Sequence, residues 1–346
     1  MNAAAKNYDG LNKYIRITDI DEASSTYTDK DIVSPDGVLT DNYLVNNRDI
    51  LLARTGASTG KSYLYKKSDG KLYYAGFLIR ANVTTHDPYF VFSQLHTHRY
   101  WRWVSIMSAR SGQPGINSQE YSSFPIYTTS IEEESKIAKL LSLLDERIST
   151  QNKIIEDLKR LKSAISKKLL CNDKWITYKI QDIAEIGRGR VISSVEIDRQ
   201  KHPLYPVYSS QTSNDGIMGY LDNYMFDGEY ITWTTDGANA GTVFYRKGKF
   251  NCTNVCGTLK IQPKFDCYFV SLVLQQATQK YVSSNLANPK LMNNTMASIK
   301  IRMPNIETQK QLSKVFQALD GCLLIHQRTC EMYLKEKQYL LRQMFI

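Results

Sequence analysis

The sequence predicts an α+β molecule built from two related globular units, each followed by a long helix, with an internal pseudo-two-fold repeat. Three observations carry this. Residues 49–65 read DILLARTGASTGKSYLY and residues 230–245 read YITWTTDGANAGTVFY, and their cores, TGASTG and DGANAG, superpose at an offset of 181. From Pro114 onward the offset becomes 175, so that Pro114 matches Pro289, Ile131 matches Ile306 and Asp145 matches Asp320. Each copy then ends in a heptad-patterned stretch. A duplicated unit with a matching helix is the signature of internal symmetry, and such a molecule is suited to holding two similar modules at a fixed separation.

The segments follow in order. Residues 1–130 form the first globular unit; they are rich in Tyr, Thr, Asn and Gly, with short β-like runs at 49–53 and 77–83. Residues 131–170 form the first helix, with Ser130 as N-cap and Glu133 completing a capping box. Residues 171–305 repeat the first unit, with strands expected around 230–234 and 258–262, and residues 306–346 form the second helix. Neither linker is long or low in complexity, so the globular units are expected to be firmly held.

The helices carry the sharpest periodicity. In the first, a 4-3 series runs through Ile137, Leu141, Leu144, Ile148, Gln151, Ile155, Leu158, Lys162, Ile165 and Leu169. Adding 175 gives Leu312, Phe316, Leu319, Leu323, His326, Cys330, Tyr333, Lys337, Leu340 and Met344. This is a coiled-coil seam. Its polar interruptions fall at matching places, Gln151 with His326 and Lys162 with Lys337. A polar residue in a seam costs stability and can fix register.

Charge and motifs narrow the function. The chain of 346 residues carries a net charge of +10, which favours a polyanionic partner. No apolar run is long enough to span a membrane, and 1–10 has no apolar signal region. The six cysteines all lie between Cys171 and Cys330, with no disulfide framework, which suits a reducing cytoplasm. Cys252 and Cys256 have no second pair at metal-ligand spacing, so no metal is expected. TGASTGKS at 55–62 falls short of a phosphate-binding loop: three residues, not four, separate Gly56 from Gly60, and Thr242 replaces the lysine in the second copy. A tight loop between strands fits better, with glycine letting the backbone approach a partner closely. HDPYF at 86–90 lacks one proline of the Asp-Pro-Pro-Tyr motif of amino-methyltransferases, and a strand edge or turn is expected there. The run 98–103, HRYWRW, is read as a helix face.

The whole chain resembles the specificity (S) subunit of a type I restriction–modification system. The resemblance rests on the duplicated organisation, on ARTGASTG (53–60) with TTDGANAG (234–241), and on ARSGQPGIN (109–117) followed by FPIYTTSIEEESKIAKLLSLLDERI (124–148). The second copy supplies ANPKLMNN (287–294) and IKIRMPNIETQKQLSKVFQALD (299–320), and the opening YIRITDI (14–20) also fits. WITYKIQDIAEIGRGRVIS (175–193) resembles the usual domain-opening segment. Aligning Tyr14 with Tyr205 leaves it no counterpart in the first unit, whose opening segment is therefore expected to be missing.

The resemblance implies two target-recognition domains, each reading half of a bipartite, asymmetric double-stranded DNA site. The two helices would form an antiparallel coiled coil that sets the spacing and docks methyltransferase (M) subunits, two of them, with restriction (R) subunits joining. The chain itself would be non-catalytic and bind no cofactor, because the methyl donor and ATP would bind the partner subunits that carry adenine-N6 methylation and cleavage. A truncated or silent variant that binds M subunits without productive reading is the alternative. A seam from Ile137 to Leu169 spans roughly 50 Å at about 1.5 Å per residue, enough for modules about 34–36 Å apart on one DNA face. The DNA-binding candidates are Arg54, Thr55, Ser58 and Lys61 on the first turn and Thr235, Asp236 and Asn239 on the second. Arg110, Gln113 and Asn117 lie on the loop before the first helix, which matches the loop before the second that carries Lys290, Asn293 and Asn294. Arg, Asn and Gln can address base edges bidentately, and Lys suits phosphate. These loops could instead only buttress the fold.

Overall fold

The computed structural model describes residues 1–109, 112–170, 172–283 and 288–345. It divides into two compact units, Met1–Ile155 with Ile325–Ile346, and Glu156–Leu324. The division falls inside both long helices, Ile131–Leu169 and Ile306–Met344, so each unit holds a stretch of each.

In the first unit the strand Asp49–Ala53 is central to a three-stranded antiparallel sheet, between Ser62–Leu64 and Leu78–Asn82. All five of its residues are buried, as a strand covered on both faces requires. Lys13–Ile15 pairs in parallel with Leu72–Tyr74. The short helices Pro88–Gln94 and His98–Met107 pack on the sheet through Val91, Phe92, Tyr100 and Val104.

HDPYF proves to be a helix start rather than a strand edge or turn. The Asp87 carboxylate accepts the Tyr89 and Phe90 N–H groups, and Pro88, with φ preset and no N–H to leave unpaired, opens the helix. Asp266 caps Cys267–Ala277 in the second unit through the Phe269 N–H. Both caps also tie to a long helix. The Asp87 N–H donates to Glu134 at 2.9 Å and the Asp266 N–H donates to Gln309 at 3.0 Å, and 134 and 309 are again 175 apart.

The second unit carries a six-stranded sheet in the order Ile217–Leu221, Tyr205–Tyr208, Val243–Cys252, Phe226–Thr234, Cys256–Ile261, Ala184–Arg188. Among the described strands of this sheet, the pairing of Tyr205–Tyr208 with Val243–Cys252 is parallel and the others are antiparallel. Trp233 sits at its centre, fully buried, with its indole N–H donating to the Leu291 carbonyl at 2.9 Å. Gly257 on the neighbouring strand has no side chain because Trp233 fills that space.

The long helices meet through their seams. Ile137, Leu141, Leu144, Ile148, Gln151, Ile155 and Leu158 lie on the buried or half-buried side of the first, as do Leu312, Phe316, Leu319, Leu323, His326 and Tyr333 on the second. Within the first unit Asp145 bonds Lys337, Arg147 bonds Tyr333 and Gln151 bonds His326. One index rises as the other falls, so the helices run antiparallel. The matched polar interruptions thus have partners. Gln151 and His326 hold each other at 2.7 Å. Lys337 bonds Asp145 in the first unit, and Lys162 bonds Asp320 in the second. Each aspartate also accepts a tyrosine hydroxyl from the globular part of its unit, Tyr89 on Asp145 and Tyr268 on Asp320.

Candidate DNA interface

Each glycine turn is built from its backbone outward. In the first unit the chain leaves Ala53, turns through Gly56–Ser58 and returns into Ser62–Leu64. A strand follows the turn, whereas a phosphate-binding loop opens a helix. Gly56 and Gly60 adopt φ of +74° and +95°, a region an L side chain avoids. A Cβ on Gly60 would also stand 2.7 Å from Val104. The Gly60 N–H donates to the Tyr121 hydroxyl and the Gly60 carbonyl accepts from the Tyr100 hydroxyl at 2.8 Å. The Tyr121 hydroxyl donates in turn to the Ala53 carbonyl at 2.6 Å, and burial pushes both phenols upward, Tyr121 to about 12, so they stay neutral donors.

The loop before each long helix locks onto this turn. The Gly56 N–H donates to the Pro114 carbonyl at 2.9 Å, and the Ile116 N–H to the Arg54 carbonyl at 2.9 Å. In the second unit the Gly237 N–H donates to the Pro289 carbonyl at 3.0 Å, and the Leu291 N–H to the Thr235 carbonyl at 2.9 Å. The bridges Thr55 to Gly115 and Asp236 to Lys290 repeat as well. Turn residues correspond at 181 and loop residues at 175, so these bonds join the two offsets read in the sequence. The two structural units therefore share one scaffold: a glycine turn bonded to a proline loop.

The side chains mounted on it differ. Arg54 and Gln113 are exposed, while Thr55 and Ser58 are half-buried. Lys61 is drawn onto Glu22 at 3.0 Å. Asn117 caps the helix Ser118–Ser122, accepting from the Glu120 N–H at 2.9 Å, so its side-chain oxygen is engaged. Arg110 lies outside the described residues. In the second unit Thr235 is fully buried, with its hydroxyl accepting from Arg188 at 3.0 Å. A direct contact through Thr235 conflicts with that burial, and the exposed group at this place is Arg188. Asp236 accepts from Asn288 at 2.6 Å and lies 3.9 Å from Lys290. Asn239 donates to the Ser210 carbonyl at 3.0 Å. Asn293 is half-buried with its amide oxygen unpartnered, and Asn294 is exposed. Arg188 and Asn288 were absent from the sequence-based candidates. The Gly-Arg segment at 187–190 was a signal, but only the pairing of Ala184–Arg188 with Cys256–Ile261 brings it here.

Among the described residues no group of three or more His, Cys, Asp or Glu is placed to hold a metal. Cys252 and Cys256 are buried in the sheet, and burial pushes both thiols upward.

A profile of the type I restriction modification DNA specificity domain matches this chain twice, over residues 1–160 and 172–331. The chain belongs to the type I restriction modification DNA specificity family. A putative type I specificity subunit of Mycoplasma pneumoniae is 40% identical over 178 residues, 51% of this chain and 74% of that one. The specificity subunit of the type I restriction enzyme MpnII, from the same organism, is 39% identical over 178 residues, 51% of this chain and 53% of its own length. The crystal structure of a type I restriction–modification S subunit from M. genitalium superposes with a TM-score of 0.73 at 17% identity, covering 98% of this chain and 89% of that one, and shares the fold. Membership assigns this specificity-family chain to DNA recognition within a restriction–modification complex, not to catalysis. No helix among the described residues is long and apolar enough to cross a membrane.

Proposed function

We propose that the two turn–loop scaffolds are the DNA-reading edges, one for each half of a bipartite, asymmetric site. One observation carries this reading. The same backbone bonds recur in both units and present different side chains, Arg54, Lys61 and Gln113 in the first, Asp236, Asn239 and Lys290 in the second. A shared scaffold with divergent polar tips is what two modules of one architecture and different base preference require. Residues 1–130 and 171–305 are the recognition domains in this reading, and 131–170 with 306–346 are the spacer. The spacer sets the gap and docks two M subunits, which bring the methyl donor; R subunits bring ATP-driven cleavage. The complex works in the cytoplasm. A silent variant is not favoured, because the turn–loop bonds are complete in both units.

The test is selection from a randomised duplex library by the full chain assembled with its methyltransferase partners. Gln113→Ala is expected to relax the base preference at one position by about 1–3 kcal/mol. Lys290→Ala is expected to weaken all sequences alike and to reduce the salt slope by about one phosphate. Unchanged preferences in both variants would contradict the assignment.

A further inference from the structure

In the second unit another loop stands against the glycine turn, and it is held by a buried arginine. Arg246, 4% exposed, lies between the Tyr208 and Phe244 rings, its guanidinium carbon 3.6 and 4.4 Å from their centroids. Its guanidinium donates to the Asp215 carboxylate at 3.0 Å, to the Asp215 carbonyl at 2.9 Å and to the Thr232 hydroxyl at 3.3 Å. Burying an arginine is costly unless it is paired and bonded in this way. What the pairing fixes is the loop 209–216, which is exposed over 212–215. Asn214 and Asp215 there adopt φ of +48° and +53°, a left-handed conformation that asparagine and aspartate tolerate better than other side chains, and the Arg246 bonds hold Asp215 in it. Thr212, Ser213 and Asn214 are exposed, the Asn214 amide also donating to the Ile217 carbonyl at 3.4 Å, while the Ser210 carbonyl accepts from Asn239 on the glycine turn.

The first unit builds a corresponding contact with other groups. Lys61, on its glycine turn, reaches Glu22 in the loop 21–26, where Ser25 has φ of +53°. The Asp21 carboxylate accepts from the Ser24 N–H and hydroxyl, fixing that loop from within.

From this geometry we infer that loop 209–216 is a second base-reading element of the second unit, with Ser213 and Asn214 as its reading groups and Arg246 as the positioning residue that presets it. The inference rests on the reading of the turn–loop edge as a DNA interface. A preset loop binds without the cost of ordering, as a reading element requires.

The experiment is methylation-site sequencing in cells carrying the complete complex, with purified variants checked by thermal melting. Asn214→Gly keeps the positive φ and removes the amide; Ser213→Ala removes the hydroxyl. Each is expected to relax discrimination at one or two positions of one half-site by roughly 5- to 150-fold and to leave the other half-site unchanged. Arg246→Met is expected to broaden those same positions, with partial rescue in Arg246→Lys. In DNA-binding titrations of the purified variant complexes, a uniform loss of affinity with a shallower salt dependence would assign the loop to phosphate and overturn the inference. So would unchanged specificity in Asn214→Gly and Ser213→Ala while exchange of 175–304 still alters that half-site. An exchange that altered nothing would remove the parent reading instead.

Discussion

At the residue scale, glycine turns carry the most information per position. Gly60 needs both its positive φ and its missing side chain, because Val104 and Trp101 close over it. Gly60→Ala is therefore expected to destabilise the first unit by about 1–3 kcal/mol, measured by chemical denaturation. Gly112→Ala, where a Cβ meets nothing within 4 Å, should cost far less. The turn was legible in the sequence because glycine spacing is a local signal. The burial of Thr235 was not. Threonine suits surface and core alike, and its fate is decided by Arg188, Val255 and Leu291, which arrive from distant parts of the chain. His96 makes a second testable point. Its ring sits on the Phe92 carbonyl and the Ser25 hydroxyl, and burial, aided by Lys337, lowers its pKa to about 4, with the Phe92 bond and then Asp145 opposing. The unfolded histidine takes up a proton near 6.5 and the folded one only near 4, so stability is full above the unfolded value and falls as pH drops between the two. A loss of up to about 3 kcal/mol across that window is expected in pH-dependent unfolding. It should be absent in His96→Gln. An equal acid loss in that variant would point to other groups.

At the scale of elements, the seams were the most legible feature, since a heptad repeat places every core residue in one line. What the repeat could not show is the partnering of its polar members. Gln151 and His326 match in the repeat, and in the fold they bond each other. Replacing only Gln151 by Leu leaves His326 without its acceptor and should cost about 1–3 kcal/mol. Replacing both by Leu should recover most of that loss, since paired polar groups exchanged for apolar ones are close to neutral. A double-mutant cycle by urea unfolding measures the coupling; additive losses would contradict a paired Gln151–His326. The Tyr–Asp–Lys groupings on each helix were half legible. Asp145 with Asp320 and Lys162 with Lys337 stood out at the offset of 175. The hydroxyls of Tyr89 and Tyr268 come from separate helices, and only folding brings them onto those aspartates.

At the scale of the whole molecule, a function follows from duplication with divergence. One backbone scaffold occurs twice and carries two sets of side chains, so two half-sites of different sequence are expected, with a helical spacer between the modules that read them. Inserting residues near Gln151 should lengthen the gap between half-sites and leave their bases alone, as methylome sequencing would register. The most direct measurement is methylome sequencing of a complex in which 175–304 is exchanged for the matching segment of another specificity chain. The account predicts that one half-site takes on the donor's bases while the other half-site keeps its own. A change in both half-sites, or in neither, would contradict it.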